Sequence, residues 1–268
     1  MEPLKIYWAR LNNWGDKLAP IIVKALSGRD IVHSTAPGKI VTVGSVLEHA
    51  TDGDIIWGTG SMFAKPAKVS NMQYHAVRGP LTRKIVTDAG FSCPEIYGDP
   101  AILMPYIYRV SKQIDCKIGI IPHYVDKKLV SHLRGVHKDV RILDIQGDIP
   151  EVMNEVARCK VILSSSLHGV IIAEALGRKA CYVQMSNGVV GGDFKFKDYY
   201  ASTGRQLVKS DWREGIHQLT IPHPMISDAV NKALAADSPR FECDKLLQAC
   251  PFNFRGYKKA SDILSTPI

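Results

Sequence analysis

The sequence predicts an α/β fold made of two successive parallel, Rossmann-like units. Three observations carry this. Short apolar runs alternate with helical patterns along most of the chain. Nearly every run in the first half ends in a glycine-bearing loop. The alternation then restarts after a polar, proline-containing interval at 105–115. Right-handed crossovers gather the loops of such units at the carboxyl edges of their sheets. The expected arrangement is two domains facing each other across a cleft, 1–110 and 111–268, with the final helices packing back on the first.

The elements follow in order. Leu4 to Trp8 reads as a strand. Asn12-Asn-Trp-Gly-Asp16 is a turn, and an amphipathic helix runs from it to near Gly28. Ile40 to Val43 is a short strand, with a helix after Ser45. Asp54 to Trp57 leads into Gly58-Thr-Gly-Ser61, and Tyr74 to Val77 into Arg78-Gly-Pro80, where proline suits a first helical turn. Glu95 to Tyr97 is a strand ending at Gly98-Asp-Pro100. The second half restarts with a strand at Lys117 to Pro122, a helix at Lys127 to Arg134, a strand at Val140 to Ile145 and a helix at Ile149 to Ala157. Val161 to Leu163 is a buried strand that stops at three serines. A helical pattern follows, with apolar Val170, Ile171, Ile172, Ala175 and Leu176 and a stop at Gly177. Ala180 to Gln184 is another strand. The polar and aromatic stretch 186–212 reads as a loop, and helical patterns close the chain at 224–236 and 241–249.

Composition narrows the class. The chain has 268 residues, 46% of them apolar and 22% charged, which suits a soluble domain with a real core. No apolar run reaches the ~18 residues of a membrane span. The first residues lack the basic-then-apolar pattern of a signal peptide, so a cytoplasmic location is expected. Six scattered cysteines without a C-x-x-C pair imply a reducing compartment and no zinc site. The formal charge of +8 is spread out, its densest run being Arg255-Gly-Tyr-Lys-Lys259. No basic-and-aromatic pattern of a nucleic-acid module accompanies it. A weak attraction to anionic lipid at the inner face of the membrane stays open.

The serine run and His168 fall where a strand ends and a helix begins. Open α/β sheets bind ligands there, helix N-termini favour anions, and a histidine exchanges protons near neutral pH. Ser164, Ser165 and Ser166 read equally well as helix caps, because capping and anion binding use the same geometry. Arg78 precedes a helix at a sheet edge and offers a fork of donors for carboxylate or phosphate. Arg83 is the lesser candidate, and the competing reading is two surface arginines. Asp16 and Asp99 follow glycines at loop positions and suit either ligand contact or capping. His75 and His123 sit near strand ends as weaker candidates. Asp193-Phe-Lys-Phe-Lys-Asp-Tyr-Tyr200 and Thr203-Gly-Arg205 mix aromatics with charge, as a sugar-stacking loop or a packed helix would. Gly58-Thr-Gly-Ser61 lacks the spacing of a dinucleotide loop, and no G-x-S-x-G elbow supports a serine hydrolase.

Asn13-Trp-Gly-Asp16, Gly58-Thr-Gly60, Val77-Arg-Gly-Pro-Leu-Thr82, Tyr97-Gly-Asp-Pro-Ala101 and Ser164-Ser-Ser-Leu-His-Gly169 occur in an order that resembles polysaccharide pyruvyl transferases. Phe194-Lys195, Asp198-Tyr-Tyr200 and Thr203-Gly-Arg205 are similar to the branch that makes the pyruvate ketal of xanthan and related exopolysaccharides. The resemblance implies a fold like the two-domain GT-B glycosyltransferases. It implies phosphoenolpyruvate as donor, a lipid-linked or growing surface glycan as acceptor, a cyclic ketal as product, and no cofactor or metal. His168 carries over as the catalytic acid, and Asp16, the second catalytic candidate, or Asp99 is expected to orient the acceptor or take its proton. Donor contacts fall to Arg78, Ser164, Ser165, Ser166, Leu167, Gly169 and Arg205. Acceptor contacts fall to Asn13, Trp14, Gly60, Asp99, Lys195, Tyr199 and Tyr200. Distant members carry Arg-Leu-His where this chain has Ser166-Leu167-His168, so Arg78 and Arg205 are the expected replacements for that arginine. A nucleotide-sugar glycosyltransferase and a non-catalytic glycan-binding protein are the competing readings.

Overall fold

Two sheets of five parallel strands organise the computed structural model, which describes residues 2–10, 14–66, 69–133, 135, 138–216 and 223–254. Unit 1 comprises the stretch to Arg109, Asp193–Gln206 and the stretch from Arg240. Unit 2 comprises Val110–Gly192 and Leu207–Pro239.

Unit 1 opens with β1 (Leu4–Tyr7), α1 (Trp14–Ser27), β2 (Ile31–His33), β3 (Ile40–Thr42), β4 (Ile55–Trp57), β5 (Gln73–Ala76) and α2 (Pro80–Asp88). The sheet order is β2-β1-β3-β4-β5. α1 forms because Trp14, Leu18, Ile22 and Leu26 recur every fourth residue and bury one face. It stops at Gly28, which takes the left-handed φ of 65° and donates its N–H to the Lys24 carbonyl at 2.9 Å. A 3₁₀ helix, Pro100–Tyr106, buries Ala101 to Met104.

Unit 2 restarts the pattern with β6 (Cys116–Ile121), β7 (Val140–Ile142), α3 (Ile149–Ala157), β8 (Cys159–Ser164), α4 (Leu167–Ala175) and β9 (Lys179–Gln184). α5 (Phe194–Ser202) then returns to unit 1. β10 (Lys209–Asp211) and α6 (His223–Ala235) complete unit 2, and α7 (Cys243–Gln248) belongs to unit 1. The second sheet runs β10-β9-β8-β6-β7. Its core joins Ile120, Val161, Leu163, Cys181 and Val183 to Trp212, Ala229 and Ala233. α4 is buried at every position from Leu167 to Glu174, which is why its sequence is apolar around the whole helix rather than on one face.

In each sheet the first strand pairs with the second on one side and the third on the other. The path therefore reverses beside β1 in unit 1 and beside β6 in unit 2. Crevices outside the carboxyl ends of β1/β3 and β6/β8 are where such sheets take ligands.

Several elements differ from expectation. The helix after Ser45 is a single 3₁₀ turn, Leu47–His49, and the helix at 127–134 is a 3₁₀ helix over Lys127–Leu133, Arg134 lying outside the described residues. Glu95 to Tyr97 contributes only a bridge between Val77 and Tyr97, because Pro94 lacks an N–H and Gly98 turns the chain four residues on. β2 was too short to read. The stretch 186–212 holds a helix and a strand, and 193–206 joins unit 1 within what read as a continuous second domain. The run Arg255–Lys259 lies outside the described residues. Among those described, no helix is long and apolar enough to cross a membrane.

All six cysteines are free. Burial pushes the Cys181 thiol up to about 12 and the Cys93 thiol up to about 11. Both should resist iodoacetamide at pH 8 in the native protein and react after denaturation, as peptide mass spectrometry would show. The unfolded chain releases these protons near 9.0 while the folded chain holds them. Their contribution to stability is therefore complete below about pH 9 and falls as pH rises toward the folded values. Thermal melts from pH 8 to 11 should decline less steeply for Cys181→Ala than for the wild type.

Candidate active site

The carboxyl edge of unit 2 is laced by serines. β8 ends at Ser164, whose hydroxyl donates to the Ile121 carbonyl at 2.8 Å and accepts the Ser166 N–H at 3.0 Å. Ser165 donates its N–H to Ile121 at 3.1 Å and accepts the His123 N–H on its hydroxyl at 2.8 Å. The ends of β6 and β8 are thereby tied at the point where the sheet reverses. Ser166 is the extended residue before α4, yet its side chain makes no capping hydrogen bond. The open donors and positive dipole end of α4 face this edge. His168 stands in the first turn of α4, 8% exposed.

Gly169 is required by packing. A Cβ there would lie 2.3 Å from the Ser164 hydroxyl oxygen. Leu167 is buried beside it. The structure thus brings together six expected residues, Ser164 to Gly169, and adds His123, whose ring packs against Tyr124 at 4.4 Å. His123 was legible only as a histidine near a strand end. A separate cavity of about 430 Å³ lies at the amino ends of β6 and β7, lined by Lys117, Asp139, Ile226 and Val230. It is at the opposite end of β6 from the serines and holds none of these groups.

Unit 1 uses its expected residues differently. Arg78 is fully buried, and its guanidinium donates to Asp198 at 2.9 Å, to the Ser61 carbonyl at 2.7 Å and to the Ser45 hydroxyl. Asp198, from α5, also accepts the Leu81 and Thr82 N–H groups, both at 2.9 Å, and the Thr82 hydroxyl at 2.6 Å. It caps α2, whose own N-cap, Gly79, has no side chain. Gly60 exists because a Cβ would sit 2.3 Å from the Arg78 guanidinium carbon. Gly79 answers to the backbone of Asp198 in the same way. Asp99 caps the 3₁₀ helix through Ala101 at 3.0 Å and accepts the Gly44 N–H at 2.8 Å.

Arg78 lies before α2 as read, and it is not one of two surface arginines: its guanidinium is bonded inside unit 1. Gly60 and Asp99, expected as acceptor contacts, have structural roles in the same network. Trp14, Tyr199 and Tyr200 are buried and Lys195 nearly so, which leaves no open ring face for a sugar. Arg205 lies over the Tyr200 ring at 4.7 Å and donates to the Thr203 hydroxyl at 2.9 Å. Asp16 is half-buried in the first turn of α1. Asn13 lies outside the described residues. His75 bonds the Ala249 carbonyl at 3.1 Å. Among the described residues, no three His, Cys, Asp or Glu side chains are grouped to hold a metal ion.

The polysaccharide pyruvyl transferase family model matches residues 67–187. Over that segment the chain is similar to the family. The matched segment spans Arg78, Asp99 and the whole serine-histidine edge. The chain is also 31% identical over 169 residues to an uncharacterized protein of Acanthamoeba polyphaga mimivirus, an alignment covering 60% of this chain and 59% of that protein. The chain thus spans less than two thirds of the length of the curated relative it matches.

Breaking the Arg78–Asp198 pair should destabilise unit 1. Asp198→Ala leaves a buried guanidinium unpaired and α2 uncapped, and should cost about 3–5 kcal/mol. Arg205→Ala should cost under about 1 kcal/mol. Urea denaturation of the two variants measures the difference, and equal midpoints would contradict the assignment.

Proposed function

We propose that the protein transfers the pyruvyl group of phosphoenolpyruvate to a sugar of a polysaccharide or its lipid-linked precursor, forming a cyclic ketal and releasing phosphate. The observation that carries this reading is His168 in the first turn of α4, beside the serine-laced edge and inside the family-matched segment. The first-turn amides and the Ser165 and Ser166 hydroxyls offer donors for the carboxylate and phosphate of the donor substrate, while Ser164 holds the edge in shape through Ile121. With Arg78 enclosed in unit 1, these groups take over much of the task of the arginine that Ser166 replaces.

The chemistry needs an acid and then a base. The His168 imidazolium gives a proton to the methylene carbon, and C2 becomes an oxocarbenium-like centre. A sugar hydroxyl bonds to C2 and returns its proton to His168. The C2–O bond to phosphate breaks, and the phosphate takes the proton of a second hydroxyl as that oxygen closes the ketal. Asp16 would orient an acceptor hydroxyl. A cytoplasmic site agrees with six free cysteines, and the +8 charge favours a lipid-borne anionic acceptor at the membrane face.

Purified protein, phosphoenolpyruvate and a panel of synthetic or lipid-linked glycosides should release phosphate and yield a glycoside heavier by one pyruvate less water, read by mass spectrometry. His168→Ala should lower turnover ~10²-fold or more. Near-normal turnover would remove His168 as the acid. Thermal stabilisation by a nucleotide sugar and not by phosphoenolpyruvate would overturn the reaction class.

A further inference from the structure

We propose that Tyr7, Trp8, His33 and His49 form a carbohydrate-binding face at the carboxyl edge of unit 1 that selects the acceptor glycan. The proposal rests on the reaction proposed above, since it names the surface that would recognise that reaction's sugar.

Three separate loops build this face. Tyr7 ends β1 and Trp8 follows it, His33 ends β2, and His49 ends the 3₁₀ turn after β3. In the order β2-β1-β3 this set straddles the crevice where the sheet reverses. The rings hold one another in place. Tyr7 stacks on His49 with centroids 5.0 Å apart at 24°, and lies 5.6 Å from His33. Trp8 meets His33 edge-on at 4.7 Å, and the His33 Nε2 lies 3.1 Å from the Trp8 carbonyl oxygen. Beneath them Tyr7 packs on the core of Val41, Val46 and Leu47.

The face is open where the expected one is closed. Tyr7, Trp8 and His33 are half-buried and His49 is exposed, whereas Trp14, Trp57, Trp212, Tyr199 and Tyr200 are buried. Half-buried aromatics with polar tips suit a pyranose, which offers C–H faces to rings and hydroxyls to nitrogen and oxygen atoms. Burial first, and the Asp16 carboxylate second, push the Tyr7 phenol up, so Tyr7 remains a neutral hydroxyl. Asp16 adds an acceptor for sugar hydroxyls at the same edge. All five residues precede the segment matched by the family model, 67–187.

Saturation-transfer NMR with methyl glycosides of glucose, mannose and galactose and with the corresponding disaccharides, without phosphoenolpyruvate, tests the face. One or more should bind with transfer to one ring face, and Trp8 fluorescence should change. Trp8→Ala should weaken binding about 10-fold, and the exposed His49→Ala should weaken it too, while the thermal shift caused by phosphoenolpyruvate stays at the wild-type value. Absence of binding by any glycoside, or wild-type affinity in both variants, overturns the proposal. If phosphoenolpyruvate gives no shift but glycosides bind and Trp8→Ala loses them, the sugar face stands and the proposed reaction falls.

Discussion

The buried contact between Arg78 and Asp198 is the constraint on which unit 1 depends. The two residues are 120 positions apart, and the chain passes through most of unit 2 between them. Asp198 does two things at once. It neutralises a guanidinium with no exposure to water, and it supplies the N-terminal acceptor that α2 lacks because Gly79 has no side chain. Replacing such a pair by apolar groups often costs little, so its value is not raw stability. What it contributes is a unique seat for α5. Slid along by one turn, α5 would leave Arg78 charged and unpaired, and the desolvation cost of that state excludes it.

The glycines around the pair belong to the same constraint. Gly60 and Gly79 lie where a methyl group would strike the guanidinium carbon or the Asp198 backbone. A second buried pair works in parallel at the other edge of the sheet. Asp54 accepts the Lys39 ammonium and the Thr51 N–H ahead of β4. Unit 1 is therefore fixed by ionic ties at both ends of its strands. Unit 2 relies on an apolar core and on neutral serines at its carboxyl edge.

How much the sequence disclosed follows from how far apart partners lie. α3 was legible to the residue because Ile149, Val152, Met153 and Val156 repeat at helical spacing and face the core. The junction of β8 and α4 was legible because an apolar run ends abruptly in serines before a helical pattern. α5 was not. Lys195 and Asp198 look like surface charge, and only Arg78, far away in sequence, explains the burial of Asp198. For the same reason Arg78 read as a donor fork for a ligand. Its position at a sheet edge was right, but nothing local shows that its fork is already filled. The aromatic face of Tyr7 and His33 depends on β2, three residues long, and on a strand order that sequence does not contain.

The motifs that made the chain recognisable therefore divide by physical role. Gly58-Thr-Gly60, Arg78-Gly-Pro80, Gly98-Asp-Pro100 and Asp198 define one polar network inside unit 1, and their order along the chain is the signature of a scaffold. Ser164 to Gly169 is different, because its hydroxyls and first-turn amides lie at the edge where an open sheet binds ligands. Order of motifs thus identifies the fold more securely than it assigns chemistry. Ser166, where the resemblance leads one to expect an arginine, falls in the second group. An arginine there would bring a full positive charge to the edge, whereas serine brings a hydroxyl and leaves the helix dipole as the local positive field. An anion at this edge must then be held by directional hydrogen bonds more than by charge, which favours a ligand whose oxygens match the amides of α4 over one that is merely anionic.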